Sequence, residues 1–116
     1  MKTTFKIVLN FLILFYITHI TQAQTLKKIS FDENDSLRGH YLVVEPESKD
    51  TVSGVVLLLA GFGQLPEDSP PETKIHNVAY ANNILTVFYA GGNKLYADST
   101  TLAKLTNVVK DILRRY

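Results

Sequence analysis

A pair of glycines that follows an apolar run is the part of this sequence best suited to carry chemistry. Residues 55–60 read Val-Val-Leu-Leu-Leu-Ala, and Gly61, Phe62 and Gly63 come directly after them. The run does not alternate as a solvent-facing strand would, so it predicts a strand with both faces covered, as inside a parallel sheet. Glycines at such a strand end let backbone N–H groups approach a ligand. The pattern predicts a loop whose Phe62 and Gly63 amides are oxyanion-hole candidates.

The same tripeptide has two other interpretations. The glycines of positions 61 and 63 are also typical of a tight turn that serves only the backbone. A dinucleotide-binding loop would need a third glycine and a helix directly after it, whereas a proline-rich segment, residues 66–71, follows here. We therefore expect no nucleotide and no other cofactor, and the turn and the oxyanion loop stay open at this point.

A second apolar run leads into a second pair of glycines. Residues 84–90 are rich in β-branched and aromatic side chains, and Gly91 and Gly92 bound them. Two apolar strands with a helix between them predict a parallel crossover. Parallel strands end at the same sheet edge, so Gly61, Gly91 and Gly92 are predicted to form loops around one pocket, with a simple turn as the equal alternative for the later pair.

Further elements frame these two strands. Residues 28–31 and 40–45 predict an antiparallel hairpin. Ser69 with a following proline predicts a helix start, and that helix is expected to end at residues 82–83. A last helix is predicted from a cap at Asp98 or Ser99, with an apolar stripe formed by Leu102, Leu105, Val109, Ile112 and Tyr116.

Other chemical groups are less promising. His40 and His76 have no second ligand at metal-binding spacing, so both are expected to be exposed or half-buried side chains and no metal site is predicted. Asp98 is expected to cap a helix. The serines lack the strand-turn-helix context of a nucleophile.

The first residues predict export. Lys2 and Lys6 precede an apolar core that spans residues 7–17, and Thr21-Gln22-Ala23 suits cleavage after Ala23. Residues 1–23 are therefore expected to be a signal peptide, and residues 24–116 a periplasmic or extracellular domain. An uncleaved anchor is the alternative, but the core is shorter than the ~20 residues that span a bilayer, so no stable membrane anchor is expected.

Charge and cysteine content narrow the functions further. Loss of Lys2 and Lys6 with the signal peptide leaves 10 basic residues against 11 acidic ones, and no basic cluster. Nucleic acid is therefore not an expected partner. The chain has no cysteine, so disulfides cannot stabilise it after export.

Over residues 28–116 the sequence resembles the N-terminal part of an α/β-hydrolase of the serine esterase or lipase kind. The similar features are antiparallel strands, a strand ending in Ala60-Gly61-Phe62-Gly63, a helix, the strand 84–90 and a final helix. The resemblance implies an α/β fold with a partial, incomplete hydrolase sheet: an antiparallel hairpin, then parallel strands with crossover helices. It also implies that Phe62 N–H belongs to an oxyanion hole, although Ala60 replaces the histidine often found there.

In that family the nucleophilic serine, the acid and the base follow the helix that matches residues 99–116. This sequence reaches Tyr116 without Gly-x-Ser-x-Gly. We expect a hydrolase domain truncated before the nucleophile elbow, without any triad residue and inactive alone, so its status as an enzyme stays open. If full-length, it would take a small ester-like substrate. The alternative is a small secreted binding domain without catalysis.

Overall fold

The computed structural model describes residues 24–48, 50–94 and 96–116. The predicted signal peptide, residues 1–23, lies outside the described residues. The described chain folds into strands and helices in the order β1 (Leu26–Ser30), β2 (His40–Val44), β3 (Gly54–Leu59), a 3-10 turn (Pro66–Asp68), α1 (Ser69–Glu72), α2 (Ile75–Ala81), β4 (Ile84–Tyr89) and α3 (Ser99–Arg115). None of these helices has the length and apolar character needed to cross a membrane.

The strands form one mixed sheet in the order β1-β2-β4-β3. Strand β1 pairs with β2 and β2 pairs with β4 in antiparallel fashion, so the predicted hairpin is confirmed. Strands β3 and β4 are parallel, with Val55 opposite Leu85 and Leu59 opposite Tyr89. The chain between them contains α1 and α2, as the strand-helix-strand pattern predicts. The fold thus belongs to the α/β class.

The two apolar strands differ in burial, and the prediction that both are fully covered is wrong for β3. In β4, Leu85, Val87 and Phe88 are completely buried. In β3, Val55 and Leu59 are each 43% exposed. The reason is their position, because β4 lies between β2 and β3, whereas β3 is an edge strand of the described sheet. Apolar composition predicts a strand, but it does not show whether that strand has a neighbour on each side in the sheet.

Both faces of the sheet carry a hydrophobic cluster. On one face, α3 packs its Val108 and Ile112 against side chains of β2 and β4. On the other face, Phe88 packs with Leu58 and with Tyr80 of α2. Helices on both faces explain why every side chain of β2 is buried, since neither side of that strand faces water.

The helix predicted between Ser69 and residues 82–83 is interrupted. Ser69 lies inside the first turn of α1 and does not cap it. Thr73 is extended (φ −135°, ψ 150°), which ends α1, and its hydroxyl accepts a hydrogen bond from the Ile75 N–H at 3.2 Å, where α2 begins. Asn83 has φ 58° and follows the end of α2, as predicted.

Helix α3 has the predicted cap but a different buried face. The Asp98 carboxylate accepts hydrogen bonds from the Thr100 and Thr101 amides, so the cap prediction is confirmed. Val108 is fully buried and its neighbour Val109 is 37% exposed. Ile112 is buried and Leu105 packs against the core, as predicted, whereas Val109, Leu102 and Tyr116 are exposed and Val108 takes the place expected of Val109.

Candidate functional site

The glycine loops that follow β3 and β4 lie side by side. The Ala60 N–H donates to the Tyr89 carbonyl at 2.8 Å, which continues the parallel ladder past the strand ends. One step further, the Gly63 N–H donates to the Gly92 carbonyl at 3.0 Å. The prediction that both loops occupy the same edge of the sheet is therefore confirmed. We call residues 60–64 and 91–93 together the glycine edge.

Within the first loop, three of the four consecutive amides are occupied. The Gly61 N–H donates to the Gln64 side chain at 2.6 Å, and the Gln64 N–H donates back to the Gly61 carbonyl at 3.1 Å. The Gly63 N–H is held by Gly92, so this candidate donor is not available to a ligand in this conformation. The Phe62 N–H has no acceptor among the described residues. Phe62 thus remains as the oxyanion donor candidate of this loop.

Backbone conformation and packing explain the glycines. Gly63 and Gly92 have φ of 79° and 80°, a region that side chains other than glycine rarely tolerate. A Cβ atom at Gly91 would lie 2.9 Å from the Tyr96 ring and 2.9 Å from the Thr101 methyl group. Gly91 is therefore packed against Tyr96 and against Thr101 of α3, and does not face an open pocket.

Tyr96 connects the ends of the two parallel strands. Its hydroxyl donates to the Ala60 carbonyl at 2.8 Å and accepts from the Gly91 N–H at 3.1 Å. A single side chain thus holds Ala60, which precedes the first pair of glycines, and Gly91, the first glycine of the second pair. Because hydrogen bonds to backbone fix the loop before any ligand arrives, the Phe62 amide is preorganised.

A positive charge lies at the glycine edge. An Arg38 Nη2 atom lies 3.5 Å from the Gly63 carbonyl. The Arg38 Nε is buried and has no hydrogen-bond partner among the residues that the structure describes. The Asn93 side chain also reaches this loop, since a Cβ at Gly63 would lie 3.1 Å from its Oδ1. Each of these groups comes from outside the loop itself.

His40 contradicts its predicted exposure, because it is only 3% exposed. Its Nε2 lies 2.7 Å from a Glu67 carboxylate oxygen, and Lys28 lies 3.3 Å from the same oxygen. Burial raises the pKa of Glu67. Hydrogen bonds from its own backbone N–H, from His40 and from Lys28 together lower the pKa by more than burial raises it, so the pKa lies below its usual value. The contact between His40 and Glu67 attaches the 3-10 turn that follows the first glycine loop to β2.

The second histidine, His76, is half-buried, as predicted.

A second polar cluster surrounds Asp111 on α3. Tyr41 Oη donates to its carboxylate at 2.8 Å and Arg115 Nε donates at 2.8 Å, while Arg114 donates to the other oxygen. Burial raises the pKa of Asp111, yet these hydrogen bonds hold it below its usual value. Burial and the nearby carboxylate raise the pKa of Tyr41. An open groove of about 440 Å³ adjoins the cluster and is lined by Ser30, Phe31, Asn107, Lys110, Asp111, Arg114 and Arg115.

The two clusters suit different tasks. The glycine edge offers a free backbone donor and a guanidinium beside it, which can stabilise negative charge. In the described residues no serine hydroxyl is hydrogen-bonded to a histidine, so the nucleophile and base of a triad are not assembled there. The Asp111 cluster has its hydrogen bonds made within the fold.

Sequence reasoning missed Arg38, Gln64, Asn93 and Tyr96 at the glycine edge. Gln64 stands three residues after Gly61, a spacing that suits a side chain returning to the backbone. Arg38 is 25 residues from the carbonyl that it contacts, and Tyr96 is 36 residues from Ala60. Contacts between residues so far apart in the sequence cannot be predicted from a local pattern.

No protein-family model matches this sequence, and no curated protein or solved structure matches it either.

Proposed function

We propose that the chain is the N-terminal part of an exported α/β-hydrolase, a serine hydrolase of ester or related acyl bonds, in which the Phe62 N–H is an oxyanion donor. The observation that carries this proposal is the free Phe62 amide in a loop whose neighbouring amides are all occupied. A donor left open where a parallel strand pair ends can serve as one of the oxyanion donors that acyl transfer uses.

The loop's position in the fold supports the same function. In α/β-hydrolases one oxyanion N–H comes from the loop between the third strand and the first helix, and Phe62 lies between β3 and α1. The antiparallel strands come first in the chain and the parallel pair comes last, as the resemblance implies.

The open edge of β3 gives a place for the missing nucleophile. Strand β3 has an unpaired side in the described sheet, and its Val55 and Leu59 are partly exposed. A further parallel strand on that side would end beside Phe62, because parallel strands end at one edge. In our proposal, polypeptide after Tyr116 forms this strand and carries the serine on the turn that follows it.

Substitutions at residue 62 test the Phe62 N–H donor directly. They are made in the longer polypeptide that, in our proposal, continues after Tyr116. Phe62→Pro removes the N–H, and Gly61 before it tolerates the ring. We expect kcat for ester hydrolysis to fall about 10²–10³-fold. Phe62→Ala keeps the amide and is the matched control, so it should retain most of the activity.

Labelling with a fluorophosphonate tests the nucleophile independently. We expect one serine after Tyr116 to react, in the wild type and in both variants. Equal activity of Phe62→Pro and Phe62→Ala would show that the Phe62 N–H is not an oxyanion donor. A complete polypeptide in which no serine reacts would contradict the hydrolase proposal.

A further inference from the structure

Arg38 is held at the glycine edge by its stem and not by its charge. A Cβ at Gly92 would lie 2.9 Å from Arg38 Cδ, so the aliphatic part covers this glycine closely. The only hydrogen bond of the guanidinium within the described residues is the 3.5 Å contact from Nη2 to the Gly63 carbonyl. The buried Nε has no acceptor in the described ranges 24–48, 50–94 and 96–116. A buried donor without a partner requires an explanation, since leaving it unmatched costs free energy.

The acidic side chains near Arg38 are already paired with other cations. Asp35 accepts a hydrogen bond from Lys104 at 3.0 Å and binds only the backbone N–H of Arg38, at 2.9 Å. Asp32 lies 3.9 Å from the same lysine. In the part of the chain that the structure describes, Arg38 therefore has no counter-ion of its own.

We infer that Arg38 binds a carboxylate of the substrate and makes the site selective for esters whose acyl or alcohol part carries that group. A guanidinium fork matches the two oxygens of a carboxylate. Arg38 contacts Gly63, the residue next to Phe62, so the bound carboxylate would lie close to the developing oxyanion. This inference rests on the proposed function, because it places the reacting carbonyl at the Phe62 amide.

The charge balance favours a carboxylate over a phosphate group. Lys94 and Lys104, which lie between β4 and the middle of α3, are both engaged with aspartates. One unpaired guanidinium balances the single charge of a carboxylate, whereas a phosphate dianion calls for further donors.

Binding can be measured without catalysis, on the chain expressed from its full sequence. Monomethyl succinate offers a carboxylate and an ester, and dimethyl succinate is its neutral counterpart. We expect monomethyl succinate to shift the NMR signals of Arg38 Nε–H and Phe62 N–H in a saturable way, and dimethyl succinate to leave the Arg38 signal unchanged. Inorganic phosphate should bind more weakly than monomethyl succinate.

Variants separate the charge from the packing. Arg38→Met keeps an aliphatic stem over Gly92 and should weaken binding of monomethyl succinate at least about tenfold. Arg38→Lys keeps the charge without the fork and should bind with intermediate affinity. Lys94→Met removes an exposed cation of the same edge and should bind as the wild type does.

Two outcomes of the titration would overturn the inference: equal shifts from both esters, or phosphate binding more tightly than monomethyl succinate.

Hydrolysis rates of the complete polypeptide separate this inference from the hydrolase proposal. Equal hydrolysis of both esters by wild type and Arg38→Met would overturn the role of Arg38 and leave the hydrolase proposal standing. Binding of monomethyl succinate at Arg38 in a polypeptide without any reactive serine would support the carboxylate site and contradict only the hydrolase proposal.

Discussion

The Asp111 cluster and the glycine edge are both polar regions beside the same sheet, but they differ in how their hydrogen bonds are completed. Asp111 is 9% exposed and accepts from Tyr41, Arg114 and Arg115. At the glycine edge, the Phe62 N–H and the Arg38 Nε have no partner among the described residues. A satisfied polar cluster stabilises a fold, whereas a buried donor without a partner, such as the Arg38 Nε, requires another explanation. The predictions below test whether this difference separates stability from function.

Asp111→Ala should produce the largest loss of stability. The change leaves the fully buried Tyr41 hydroxyl without its acceptor, which we expect to lower the free energy of unfolding by about 2–3 kcal/mol. Urea denaturation measures this value. Lys110→Ala changes the neighbouring residue, which is exposed and has no partner in the described chain, and should stay within about 0.5 kcal/mol of wild type. Similar losses for both variants would mean that the cluster does not act through its hydrogen bonds.

Tyr96→Phe should have an intermediate effect on stability, because it removes a hydroxyl whose hydrogen bonds lie within the fold. The hydroxyl donates to Ala60 and accepts from Gly91, so its loss should cost about 1–1.5 kcal/mol of unfolding free energy. Tyr80→Phe is the matched control, since the Tyr80 hydroxyl has no hydrogen bond within the described residues. Faster amide exchange at Gly91 in Tyr96→Phe would show that the loop has loosened. No change in either measurement would contradict a bracing role for Tyr96.

The strands, the last helix and the two glycine loops follow from local signals in the sequence, whereas the side chains that surround those loops do not. The apolar run before Gly61 predicts β3, and Asp98 caps α3 as its type and place suggest. Burial of β3 failed as a prediction because pairing of a strand depends on distant segments. Arg38 failed to stand out for the same reason, since only the folded chain brings it to Gly63.

Acid should weaken the protein partly through Asp111. Its pKa is held below the usual value in the folded chain, so the unfolded chain binds more protons as the pH falls. The stabilisation is complete above the ordinary aspartate pKa of about 3.9 and is lost as the pH falls through the folded pKa. Urea midpoints of wild type and Asp111→Asn should therefore keep their difference at neutral pH and converge as the pH falls below about 3.9.

Glu33→Gln is the control for this pH series, because Glu33 is exposed and no ion pair involves it within the described residues. Its difference from wild type should stay small and constant over the same range. A gap between wild type and Asp111→Asn that keeps its size down to pH 3 would show that the Asp111 carboxylate does not contribute through its charge.

Arg38→Met should have the smallest effect on stability and gives the sharpest test of the comparison. The guanidinium makes one long hydrogen bond and buries an unmatched Nε, so its removal costs the fold little, while methionine keeps apolar contact over Gly92. We expect the free energy of unfolding to stay within about 0.5 kcal/mol of wild type in urea. A loss above about 1 kcal/mol would place Arg38 with Asp111 as a stabilising residue. A charged group that contributes little to the fold and lies at the glycine edge is better explained by what it binds than by what it supports.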